Sequence, residues 1–89
     1  MPLVRIPTPL RPHAGGHDRV DAPGSTVGEL LTGLCSQHPA LRERLFEGDE
    51  LRRFVNVYVN NEDIRYLEEL ATPVAANDEV SIIPAVAGG

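Results

Sequence analysis

Hydrophobic residues recur along this chain with two different periods. Over Phe54–Asn60 the alternation is strict: Val55, Val57 and Val59 point to one side, and Phe54, Asn56 and Tyr58 to the other. That period of two is the pattern of a strand with one buried face. The same alternation marks Val4-Arg5-Ile6, Arg19-Val20-Asp21-Ala22 and Val80-Ser81-Ile82-Ile83. Pro84 is expected to end the last of these or confine it to a sheet edge. Val27, Leu30, Leu31, Leu34 and Cys35 instead follow helical spacing and form one apolar stripe. A capping box opens this helix, with Thr26 accepting from the backbone N–H of Glu29 and Glu29 reaching back to the Thr26 N–H. Pro39 stops it just after His38, giving about three turns. Leu41, Leu45 and Phe46 predict a second, shorter helical piece, with a loop at Gly48-Asp49-Glu50. Asn60–Asp63 and Ala76–Glu79 read as turns, and Ile64–Leu67 as a short return strand.

The resulting order is strand, strand, helix, strand, short strand, strand. One dominant helix crossing a mixed sheet is an α+β architecture, the β-grasp. A ferredoxin-like sandwich would need two comparable helices, and the second here is short. Pro7, Pro9 and Pro12 followed by Gly15-Gly16 mark a stiff segment leading into a turn, so the first two strands are expected to pair across a wide connection. With 89 residues the chain supports one core, expected over 1–84 with a C-terminal tail at 85–89.

Composition narrows the function. A net charge of -5, from 13 acidic against 8 basic residues, argues against binding a phosphate backbone, so no nucleic-acid partner is expected. Every basic residue is arginine, which leaves the body without a lysine amine for acylation or Schiff-base chemistry. The single Cys35 precludes an internal disulfide. There is no leader pattern and no apolar run long enough to cross a bilayer, so a cytoplasmic protein without a membrane partner is expected. Two Phe, two Tyr and no Trp offer little to line a pocket, and an enzyme with its own active site is not expected.

His13 and His17 lie four apart around a glycine pair, but metal binding needs further ligands that the neighbouring sequence does not supply, so no metal is expected. His38 suits the C-terminal end of the helix dipole, and Cys35 reads as a buried, inert thiol. Glu62-Asp63 and Glu68-Glu69 read as solvated charge. Phe54 and Tyr58 fall on the side of their strand opposite the valines, and Ile83 turns outward just before Pro84. Two readings of these three residues stand together: a partner-docking surface, or side chains covered by the second helical piece or a loop.

From Ala85 to Gly89 no side chain is larger than that of Val86, and Gly88 and Gly89 have none. Drawn out, five such residues reach about 17 Å, enough to carry a terminal carboxylate into a narrow channel. Glycine there permits close backbone approach. Taken alone, the segment is either a frayed terminus or the delivery arm of a working carboxylate. A carboxylate is a poor electrophile at neutral pH, so the second case calls for activation by a partner, for instance through attack on the α-phosphate of ATP.

The β-grasp order with terminal Gly88-Gly89 resembles the ubiquitin-like sulfur carriers of the ThiS/MoaD family. LRPHAGG at Leu10–Gly16, RFVNVYVNNEDIR at Arg53–Arg65 and IIPAVAGG at Ile82–Gly89 extend the resemblance over nearly the whole chain, to the carriers of that family that serve cysteine biosynthesis. The resemblance implies that Gly89 is the reactive residue, its carboxylate adenylated by an E1-like, ATP-using enzyme and sulfurated to a thiocarboxylate. Gly88, Ala87 and Val86 give access to it. It implies that the sulfur passes to a pyridoxal phosphate-dependent cysteine synthase that uses O-phosphoserine, and that a JAMM-type zinc peptidase then releases cysteine. The ATP, pyridoxal phosphate and zinc are the partners' cofactors, and the carrier binds none itself. It implies docking through the outward apolar residue before the proline, here Ile83, which we extend to Phe54 and Tyr58. Supply of molybdopterin, thiamin or another sulfur-containing metabolite, and ubiquitin-like conjugation to lysines, are the alternatives.

Overall fold

A computed structural model describes residues 1–84; the expected tail, 85–89, lies outside the described residues. Strand β1 (Leu3–Arg5) leads into a 3-10 helix (Thr8–Ala14) and returns as β2 (Arg19–Asp21). Helix α1 (Val27–Gln37) follows, then a 3-10 turn (Pro39–Leu41), the single-turn α2 (Arg42–Leu45) and a small hairpin of β3 (Phe46–Glu47) and β4 (Glu50–Leu51). Strands β5 (Val55–Val59) and β6 (Glu62–Asp63), two 3-10 turns (Ile64–Tyr66 and Glu69–Ala71) and β7 (Glu79–Pro84) complete the described chain.

Five strands form one mixed sheet in the order β2-β1-β7-β5-β6. Strands β1 and β7 run parallel, and all other neighbours are antiparallel. This is the ββαββ β-grasp expected from the pattern. The alternation does what it predicts: Val4, Val55, Val57, Val59, Val80 and Ile82 are buried on one sheet face, against Val27, Leu30, Leu31, Leu34 and Cys35 of α1. Burying an aliphatic side chain of this size stabilises by about 1.5–3 kcal/mol. Leu41, Leu45 and Phe46 close one end of the core, so the second helical piece is present, though only one turn long.

Four local expectations need correction. First, of the two alternatives for Pro84, it is the last residue of β7, as expected, but β7 is not an edge strand: it lies in the middle of the sheet, with Pro84 opposite Val55. The edge character is partial, because β1 pairs with β7 only as far as Arg5 opposite Ser81, after which β7 is held by β5 alone. That is where a residue without an N–H is tolerated. Second, the short return strand is Glu62–Asp63, two residues earlier than expected, after a turn in which Asn60 and Asn61 take φ of 49° and 73°. Asparagine adopts that left-handed conformation more readily than most residues. The side chain of Asp63 then accepts from the backbone N–H of Arg65 at 2.9 Å, turning Ile64–Tyr66 into a 3-10 helix.

Third, the proline-rich loop is a 3-10 helix whose Leu10 and Ala14 enter the core, ended by left-handed Gly15. Fourth, the capping box is displaced by one residue. Thr26 Oγ1 accepts from the N–H of Glu29 at 3.2 Å, but Glu29 Oε1 accepts from the N–H and hydroxyl of Ser25, at 3.0 and 2.9 Å. Those bonds hold the Glu29 carboxyl below its ordinary range. Gly48, at φ 67°, makes the supposed loop a tight hairpin between β3 and β4. Gly24 lies against α1 so closely that a Cβ would stand 2.6 Å from the Leu30 nitrogen and 2.9 Å from its Cα.

Candidate functional site

Strand β7 ends at Pro84, and its exit from the sheet is the centre of the candidate site. The register places Val55 opposite Pro84, so Phe54, one residue before β5, stands beside the exit. It belongs to the turn entering β5 and not to the strand itself, and it remains 48% exposed. Ile83, opposite Asn56, is likewise 48% exposed. Tyr58 is opposite Ser81 and is therefore a diagonal neighbour of Ile83, a spacing of about 7–8 Å that an aromatic ring spans. Tyr58 is half-buried rather than open. The three docking candidates thus share one region, with Phe54 and Ile83 the accessible pair at its corner. Covering by α2 or a loop, the other reading of these residues, does not describe Phe54 or Ile83.

A cleft of about 720 Å³ adjoins the exit, lined by Pro9, Leu10, Glu43, Arg44, Arg52, Phe54 and Pro84. The 3-10 helix brings Pro9 and Leu10 to it, and α2 brings Glu43 and exposed Arg44. Arg52 is held by donating from Nε to the Glu43 carbonyl at 2.7 Å. Sequence reasoning missed this cleft because four separate segments build it. The one local signal is Pro9 and Pro12 on either side of Leu10, and by itself that pattern predicts a loop.

On the open sheet face, Arg5 and Glu79 pair at 3.1 Å, an exposed contact that contributes little to stability. A second cleft, about 650 Å³, sits beside Val55 and Val57 and is lined by Arg52, Arg53 and Arg65 together with Glu50, Asp63 and Glu69, so its charges offset one another. The carboxylate pairs read as solvated charge thus divide: Glu62 stays on exposed β6, while Asp63 caps a turn and Glu69 enters the second cleft. Cys35 is buried, and burial pushes its thiol above the ordinary range, opposing the thiolate that nucleophilic chemistry needs. Its burial matches the expected inert thiol. His38 caps α1, its backbone N–H donating to the Leu34 carbonyl at 2.9 Å. Among the described residues no three His, Cys, Asp or Glu side chains gather as a metal-holding group, and no helix is long and apolar enough to cross a membrane. Gly89, Gly88, Ala87 and Val86 lie outside the described residues.

Comparison with known proteins adds to this geometry. Residues 4–89 match the family described as the ThiS family. The chain is 48% identical over 89 residues to the sulfur carrier protein CysO of Mycobacterium tuberculosis, covering 97% of this chain and 96% of that one. It superposes with a TM-score of 0.93 on the crystal structure of the Amycolatopsis orientalis BexX/CysO complex, at 45% identity and full coverage of both chains. It is also similar to small archaeal modifier protein 1 of Methanosarcina acetivorans, with a TM-score of 0.89, 35% identity, and 99% of this chain and 95% of that chain covered.

Proposed function

The chain belongs to the ThiS family, and from that premise we propose that it is a sulfur carrier whose Gly89 carboxylate is the working group, serving cysteine biosynthesis. The observation that carries the reading is the near-full-length similarity to the carrier CysO. In the proposed cycle a Gly89 carboxylate oxygen attacks the α-phosphate of ATP in an E1-like partner, and pyrophosphate leaves. A sulfur nucleophile then replaces AMP at the acyl carbon, and the product is a thiocarboxylate. Its negative charge rests on a soft sulfur, which makes it a nucleophile where the carboxylate was not. The sulfur passes to the acceptor of a pyridoxal phosphate-dependent cysteine synthase that uses O-phosphoserine. An S-to-N acyl shift leaves cysteine in amide linkage to Gly89, and a JAMM-type zinc peptidase hydrolyses that amide. The carrier contributes binding and delivery, while its partners hold ATP, pyridoxal phosphate and zinc.

The described geometry supports the delivery role. The last residues of β7 run past the end of β1 into a corner with two accessible apolar side chains, and in the sequence Ala85 to Gly89 follow directly after them. In this reading Ile83 and Phe54 dock the partner, Tyr58 backs them from the adjoining strand, and Val86, Ala87 and Gly88 occupy the partner's channel. The Ile83→Asp variant should bind its activating enzyme at least roughly tenfold more weakly, the effect of removing a well-packed apolar anchor and placing a charge there. Its thermal unfolding should match the parent's, because Ile83 stands outside the core. Titration calorimetry beside a melting curve reads both; unchanged affinity would remove Ile83 from the docking surface.

Incubating the chain with the activating enzyme, ATP and a sulfide source should replace one oxygen by sulfur at Gly89, read by intact and fragment mass. Absence of exchange with its cognate activator would refute the carrier role. Similarity to an archaeal modifier protein favours a second reading, conjugation of Gly89 to lysines of other proteins. Covalent adducts of a tagged chain separate the two: a cysteine amide belongs to the carrier and protein-sized isopeptide conjugates to the modifier. Carriers for molybdopterin, thiamin or another sulfur-containing metabolite would show the exchange without the cysteine adduct.

A further inference from the structure

The open face of the sheet carries its charges in rows. The register sets Arg19 opposite Arg5 and Arg5 opposite Ser81, which faces Tyr58 in turn, so one row crosses four strands from β2 to β5. Two like charges stand directly across a strand pair. Such a pairing destabilises an isolated sheet, and only one of the two is relieved: Arg5 reaches Glu79 at 3.1 Å, whereas exposed Arg19 makes no ion pair among the described residues. The acidic row lies on the far side. Asp21, Leu3 and Glu79 face one another one step back from the β7 exit, while Ile83 lies one step toward it. The cationic row therefore stands between the acidic row and the apolar corner of Ile83 and Phe54. Arg44 is a further exposed cation without an ion pair among the described residues, in the cleft that Phe54 and Pro84 share with Glu43 and Arg52. Arg52 is already engaged, by the Glu43 carbonyl at 2.7 Å and by Glu47 at 3.8 Å.

We infer that the corner takes an acidic protein surface, an apolar seat for Ile83 and Phe54 with carboxylates beside it, and that Arg19 is the residue that reads those carboxylates. A net charge of -5 by itself favours a basic partner. The local distribution reverses that preference at the corner. Arg19 stands two strands from β7, about 10 Å, which lies well inside the roughly 800 Å² that each side of an ordinary protein interface covers. A carboxylate brought there meets a guanidinium with no ion-pair partner of its own and offsets the repulsion from Arg5. An exposed charge of this kind acts on the rate of encounter more than on the lifetime of the complex. The inference rests on the reading of Ile83 and Phe54 as a docking corner and adds the charge of what docks there.

Association with the activating enzyme is followed by stopped flow at ionic strengths of roughly 0.01 and 0.15 M, between which the screening length falls from about 30 to 8 Å. Arg19→Gln should slow association at least roughly threefold at the lower salt and leave dissociation within about twofold of the parent. The difference should shrink at the higher salt. Gln37→Glu makes the same change in net charge on the exposed last turn of α1, on the other side of the sheet, and should associate as the parent does. Arg19→Gln should also melt no lower than the parent, because the charge it removes is the one opposite Arg5. Faster or unchanged association of Arg19→Gln, an equal loss in Gln37→Glu, or a lower melting temperature would overturn the inference. So would dimerisation of the parent that Arg19→Gln abolishes, since the row would then serve a second copy. Unchanged binding by Ile83→Asp is a separate failure, that of the docking corner itself.

Discussion

Removing Gly88 and Gly89 should leave a protein that melts with the full-length chain and gains no sulfur. Among the described residues the buried ones run from Pro2 to Ile82, so the core expected to hold the fold precedes the last two residues. The chemistry loses its register instead. Two residues shorten the reach by about 7 Å, whereas the carboxylate must come within about 3–3.5 Å of the atom it attacks. A displacement of that size should lower the exchange rate by more than about a hundredfold. The new terminal carboxylate of Ala87 would still be present, so the experiment separates position from mere possession of a terminus. Intact mass after incubation with the activating enzyme, beside a thermal melt, reads both quantities. Unfolding of the shortened chain would make the tail structural, and persistent sulfuration would free the reaction from Gly89.

The second large effect belongs to the scaffold. Gly24→Ala should destabilise the domain by about 3 kcal/mol, because the new methyl meets the backbone of α1 at Leu30 and no side chain can rotate away to admit it. For a domain of this size the melting temperature should fall by roughly 10–20 °C. Gly16→Ala is the matched comparison. It also has positive φ, at 81°, but no atom stands within 4 Å of the new methyl, so only the backbone penalty of about 1–2 kcal/mol applies. If the two variants melted together, close packing of the Pro23-Gly24 segment on α1 would not be what Gly24 provides.

Elements whose pattern is local were readable in the residues. The valines of β5 and the leucines of α1 define their own buried faces, and Pro39 and Gly15 end their segments where expected. Register and neighbours are non-local, and there the reading erred. Pro84 looks like an edge residue until β1 is seen to end at Arg5, leaving β7 open on one side for its last three residues. Glu29 sits at the right spacing to reach Thr26, yet Ser25 offers both an N–H and a hydroxyl and takes the carboxylate. Phe54 continues the alternation of β5, but the strand starts one residue later. The candidate corner shows the same division. Ile83 could be named from alternation, while the cleft joining Pro9, Arg44, Arg52 and Pro84 exists only after folding has assembled it.

The parallel pairing of β1 with β7 ties residues 3–5 to residues 79–81, nearly the full length of the described chain apart. Contacts of such long range are among the last a growing polypeptide can make, and they slow folding because a large loop must close first. During synthesis, the middle of the sheet stays vacant until Glu79 and its successors have emerged. A product cut short before that point lacks its central strand and exposes the valines of β5, which marks it for removal. Molecules that pass this check have already made the strand leading to Pro84, so the fold itself acts as proofreading for the segment that precedes the C-terminal residues proposed to react.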